Sequence, residues 1–168
     1  MTRVVIVFSG EGVESTVAAL RTGAAAEGAG IRLRRLPGGG GALDEVLEAI
    51  VWADGVALVG DVRSDQDDPA GQPIRRLLDA GAARRERLLL DRTVVVVRTV
   101  GARPTPELLR GVFSWDCLLL ASPSLWPSAD ASGRAAGDAV ADEVLGRRLA
   151  RLAGALRSAA HPTLRRAG

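Results

Sequence analysis

A single α/β domain, with a parallel sheet covered by helices on both faces, is the fold class this sequence predicts. Three observations carry that reading. Five short apolar runs alternate along the chain with stretches of helical periodicity. The runs at 4–8 and 93–97 are almost continuously apolar and rich in Val and Ile, as strands buried on both faces are. The length of 168 residues, with 47% of apolar class and 25% charged, suits one domain with one interior.

The elements follow in order. Residues 3–8 read as the first strand and end in Ser9, Gly10, Glu11 and Gly12. From Ser15 a helix carries Val17, Leu20, Ala24 and Ala25 at i, i+3, i+7 and i+8, and glycine near residue 28 suits its end. Residues 31–36 alternate and read as an edge strand; Pro37 and the four glycines after it read as a loop. A short helix over 43–51 places Leu43, Val46, Leu47 and Ile50 on one face. The third strand is expected at 54–60, followed by a loop to residue 71 that holds Asp61, Asp65, Asp67 and Asp68. A helix over 74–83 turns Ile74, Leu77 and Leu78 inward. The fourth strand, 93–97, is the most apolar and is expected at the centre.

Pro104 and Pro106 are placed to start a helix through Leu109. The fifth strand is expected at 115–121, with Cys117 as a buried core thiol within it. A loop with Pro123, Trp126 and Pro127 follows, then a long amphipathic helix over 137–156 with Val140, Val144, Leu145, Leu149, Leu152 and Leu156 on its face. The expected organisation is one domain over 1–158 and a flexible tail over 159–168. The βαβ crossovers are expected to be right-handed.

Composition removes several functions. One cysteine excludes an intrachain disulfide and an all-cysteine metal site. One histidine, His161, removes the common zinc sets and a Ser-His-Asp triad. No apolar run approaches the ~20 residues that span a bilayer, and no basic-then-apolar leader opens the chain, so a cytoplasmic protein is expected. The net charge is +2 and every basic residue is Arg, with no Lys. The arginines are scattered and aromatics are 3%, which is not the pattern of a nucleic-acid surface.

In an open parallel sheet, ligands bind at the carboxyl ends of the strands, where the strand order reverses. The segment from Ser9 to Thr16 is the most informative there. Gly10 and Gly12 let backbone N–H groups turn toward an anion, and Ser15 and Thr16 add hydroxyls at a helix N-terminus. A glycine turn followed by a Ser or Thr helix cap accounts for the same residues. Lacking Lys, the segment is not a P-loop, and Ser15 breaks the dinucleotide pattern of glycines. Glu11 and Glu14 oppose an anion.

The aspartates at 61, 65, 67 and 68 match no known calcium or magnesium loop, so no metal is expected. Arg63, Arg98 and Arg134 fall near the same edge and have the chemistry to grip a phosphate or carboxylate. Trp126 is a candidate cover for an aromatic ring. Asp61 and Thr99 end strands as the phospho-acceptor and Thr of a receiver domain do. The acidic pair and the Lys such a domain needs are missing.

Ser9, Gly12 and Thr16 fit the pattern Ser-x-x-Gly-x-x-x-Thr, residues 53–60 give an acid and then an apolar run to Gly60, and Gly71-Gln72 precedes a helix ending Leu77-Leu78-Asp79. In these features the chain resembles the flavodoxin-like quinone reductases, the WrbA-type branch of the FMN reductases, over about residues 3–157. The resemblance implies a three-layer α/β/α sandwich with a five-stranded sheet in the order 2-1-3-4-5. It implies FMN as cofactor and NADH or NADPH as electron donor. Quinones or related aromatics would be the acceptors, in a homodimer or homotetramer.

Under it, Ser9, Gly10, Glu11, Gly12, Ser15 and Thr16 surround the phosphate. Gly60, Asp61, Val62, Arg63 and Ser64, with Thr99, Val100 and Gly101, line the ring. The loop after the third strand departs from the family's Thr-Pro-Thr-Arg pattern, and no Tyr is present to stack on a flavin. The alternative is therefore a flavin-free descendant, either a binding or assembly subunit or an enzyme using the same cleft without cofactor.

Overall fold

The computed structural model describes residues 1–36, 43–61, 72–84, 93–100, 105–115, 117–120 and 139–160. Its elements are β1 (Arg3–Ser9), α1 (Glu14–Ala26), β2 (Gly30–Arg35), α2 (Leu43–Trp52), β3 (Gly55–Asp61), α3 (Gln72–Ala83), β4 (Val94–Val100), α4 (Pro106–Phe113), β5 (Leu118–Leu119) and α5 (Ala139–Ala160). All strand pairs are parallel, and the order is β2-β1-β3-β4-β5, as expected.

Side chains alternate across each strand, so every central strand feeds two cores. Val5, Val7, Val56, Leu58, Val95 and Val97 pack toward α2, α3 and α4 with Ile50, Leu77 and Val112. Val4, Ile6, Ala57, Val59, Val94 and Val96 pack toward α1 and α5 with Leu20, Leu149 and Ala153. This two-sided burial is why the central strands are almost free of polar residues.

Several boundaries differ from the sequence expectation. β4 continues to Val100, because Arg98 and Thr99 stay in the ladder opposite Val59 and Gly60. β5 shrinks to two paired residues. Trp115 lies ahead of it, buried, with its indole N–H donating to the Leu78 carbonyl at 3.0 Å. Its bulk belongs to the α3–α4 layer and not to the sheet. Cys117 is half-buried just before β5, with its Sγ 3.5 Å from the Val112 carbonyl. On α5 the buried face is Leu145, Leu149, Ala150 and Ala153, whereas Val140, Val144 and Leu152 face outward. That helix runs to Ala160, beyond the expected end; His161 lies outside the described residues.

α1 and α5 meet through glycines. A methyl group added at Gly23 would run into the Glu143 carbonyl, and one at Gly146 into the Leu20 carbonyl. The two backbones are therefore in direct contact.

At the amino edge, Asp54 ties both ends of the described chain together. Its carboxylate accepts from the Arg3 backbone N–H at 2.8 Å, from Arg3 Nη2 at 3.1 Å and from Arg157 Nη1 at 3.2 Å. Arg157 also donates to the Met1 carbonyl. Desolvation alone would raise the Asp54 pKa, but the Arg3 hydrogen bonds and the Arg3 and Arg157 charges outweigh it and hold the carboxyl below its usual range.

A lowered folded pKa stabilises the fold above the unfolded carboxylate value of ~3.9, and that contribution is lost as pH falls through the folded value. Asp54→Asn is expected to cost about 1–3 kcal/mol at pH 7. The gap between wild type and variant in urea melts should narrow steadily below about pH 4. A gap that stays constant down to pH 2 would refute the linkage.

Candidate functional site

The register aligns three residues at the carboxyl edge of the central strands. Ser9 pairs with Gly60, and Gly60 pairs with Thr99. They continue the rows of Val7, Leu58 and Val97, and so face the α3 side. Gly60 is bare of side chain for a reason: a Cβ there would press on Ile74 Cδ1 of α3 and come within 3.8 Å of Ser9 Oγ. Ser9 is 2% exposed, and among the described residues its hydroxyl has no hydrogen-bond partner. A buried hydroxyl without a partner is costly and calls for a physical explanation. Thr99 is buried as well.

The chain leaves Ser9 through Gly10 at φ 93° and Gly12 at φ 75°, a left-handed path that favours glycine at both positions. It then enters α1. The residue before the helix is Val13, buried and without a side-chain cap. This corrects the expectation of a Ser or Thr cap: the helix begins at Glu14, one residue earlier than expected. Ser15 is exposed and Thr16 buried in the first turn. The first N–H groups of α1 thus lack a side-chain acceptor, at the positive end of the helix dipole. Glu11 and Glu14 are exposed beside them and bring negative charge to the same loop.

The structure removes one candidate ligand. Arg98 does not present itself to the edge; its Nε donates to Asp142 Oδ1 at 2.6 Å, beneath the first turn of α5. Asp142 is 1% exposed, and among the described residues its second oxygen has no partner. Nothing in the sequence marks Asp142 as the partner of Arg98, from which it stands 44 positions away.

Of the remaining candidates, Asp61 closes β3 opposite Val100. Val62, Arg63, Ser64, Gly101, Trp126 and Arg134 lie outside the described residues, as do Asp65, Asp67 and Asp68. Among the described residues, no group of three or more His, Cys, Asp or Glu could hold a metal ion. No described helix is long and apolar enough to cross a membrane.

Strand order, layers and a glycine loop over the switch between β1 and β3 define a flavodoxin-like fold, and comparison with solved structures bears this out. The chain is similar to a diflavin flavoprotein A3 from Nostoc sp., at 14% identity over 95% of this chain and 98% of that one, with a TM-score of 0.64. It is similar in the same degree to a WrbA-like flavodoxin protein from Agrobacterium tumefaciens, at 14% identity over 92% and 99%, with a TM-score of 0.64. A flavodoxin from the domain Archaea matches at 12% identity over 91% and 99%, with a TM-score of 0.57. No protein-family model and no curated protein sequence matches the chain.

Proposed function

We propose that this protein binds FMN at the carboxyl edge of its sheet and works as an NAD(P)H-dependent oxidoreductase on quinones or related aromatic acceptors. In this reading it is a cytoplasmic homodimer or homotetramer. One observation carries the reading most strongly: the buried, partnerless Ser9 hydroxyl at the mouth of a glycine loop that leads to an uncapped helix N-terminus. A phosphate group supplies the acceptor oxygens that this hydroxyl and these N–H groups lack. The flavoprotein names of the similar structures support the same ligand.

FMN, when bound, supplies the hydride chemistry. The chain's part is positional. Ser9 and the amides at 10–16 grip the phosphate; Gly60, with no side chain, lets Ile74 close over the strand end beside Ser9; Thr99 and Val100 end the strand that would flank the ring. No protein acid or base is required. A second reading has its own support, since Glu11 and Glu14 stand exposed on the same loop. It is a flavin-free protein, either a binding or assembly subunit or an enzyme that takes a substrate in this cleft without cofactor.

The visible spectrum after incubation with FMN and desalting separates the two. Retention near one flavin per chain supports the first reading, and a colourless protein overturns it. Ser9→Ala sharpens the test. A lost hydrogen bond to a charged group predicts ~10- to 100-fold weaker FMN binding. The ligand-free protein should melt no lower than wild type, because the hydroxyl it loses had no partner.

A further inference from the structure

Among the described residues β2 is the last strand of the sheet on its side, and no strand pairs with its outer edge. Arg32 and Arg34 lie on one face of it, two residues and so about 7 Å apart. The Arg32 guanidinium sits over the Trp52 ring, 3.9 Å from the centroid; Arg3 approaches the same ring at 5.6 Å. Arg34 places its Nε in the interior without an acceptor and donates only from Nη1, to the carbonyl of neighbouring Leu33.

Among the described residues no carboxylate pairs with Arg32 or Arg34. Asp54 is taken by Arg3 and Arg157, and Asp44 of α2 by Arg84. A charged edge strand often serves to repel other strands. Charges that repel work best fully hydrated. Here one guanidinium rests on an indole and the other has withdrawn an N–H from water without gaining an acceptor, which costs free energy in the unbound protein.

We propose that the outer edge of β2 docks an extended, acidic segment of a partner protein. The segment adds as a further strand and sets carboxylates at alternate positions against Arg32 and Arg34. Main-chain hydrogen bonds along the edge supply affinity, and the two guanidiniums, held at strand spacing, supply the choice of an acidic sequence. The site is separate from the carboxyl edge and stands whether or not FMN binds there.

The test uses the full ¹⁵N-labelled chain and follows the β2 amides by NMR. The probes are a blocked hexapeptide of alternating Glu and Thr, its Lys/Thr counterpart, a Glu/Thr peptide N-methylated at alternate backbone nitrogens, and inorganic phosphate. The Glu/Thr peptide is expected to shift the β2 amides and to weaken with added salt. The Lys/Thr and N-methylated peptides are expected not to bind. Arg32→Gln/Arg34→Gln should weaken the Glu/Thr peptide at least ten-fold, and the exposed Arg32→Gln alone should weaken it several-fold in a protein whose remaining spectrum is unchanged. Absence of binding, equal binding to the variants, equal binding of the N-methylated peptide, or the same shifts from phosphate at the same concentration would each overturn the proposal.

Discussion

Asp142→Ala is expected to destabilise the protein by about 3–5 kcal/mol, because it leaves the Arg98 guanidinium buried against a carboxylate that is gone. Asp142 is 1% exposed, so water does not substitute for the lost charge. The double replacement Arg98→Met/Asp142→Leu should recover most of the loss and could exceed wild type, since the native pair still leaves one carboxylate oxygen without a partner. Urea unfolding of wild type, Arg98→Met, Asp142→Leu and the double variant gives the coupling directly. A cost below about 1 kcal/mol for Asp142→Ala would mean that the pair is hydrated in solution and does not pin α5 to β4.

Gly146→Val is the second large effect. Its side chain would enter the space of the Leu20 carbonyl, and a backbone cannot rotate aside as a flexible side chain does. Separating α1 from α5 would open the core around Leu20 and Leu149. A loss of about 3 kcal/mol or more is expected, and a melting point lower by roughly 6–12 °C for a domain of this size. Ala155→Val on the exposed side of the same helix is the control and should lose only the helix-propensity cost of about 0.5 kcal/mol, a drop of roughly 1–2 °C. Equal melting of both variants would show that the helix contact yields at little cost.

The parts of the fold that were legible in the sequence are those where one force dominates. β1 and β4 are buried on both faces, and their runs of Val and Ile admit little else. The end of β4 was less legible. Arg98 and Thr99 look like loop residues until Asp142 arrives from a distant helix to receive the arginine. β5 is shorter than its sequence suggests for the opposite reason. Trp115 and Cys117 are apolar in character, but they fill the layer of α3 and α4 and leave two residues to pair with β4. At the candidate site, the glycines and the position of Ser9 could be read from spacing. That the Ser9 hydroxyl has no partner could not, because it depends on Gly60 and Ile74 arriving from other elements.

The Asp54 knot has a consequence for the order of events during synthesis. Arg3 and Asp54 are 51 positions apart, and Asp54 and Arg157 are 103. A ribosome adding ~5–20 residues per second delivers the first pair several seconds before the arginine that completes the knot. A β1–β3 pair formed before then would lack the cover of α5 on its α1 face. The apolar side chains of that face, Val4, Ile6, Ala57 and Val59, thus gain Leu145, Leu149 and Ala153 as cover only after α5 has been made.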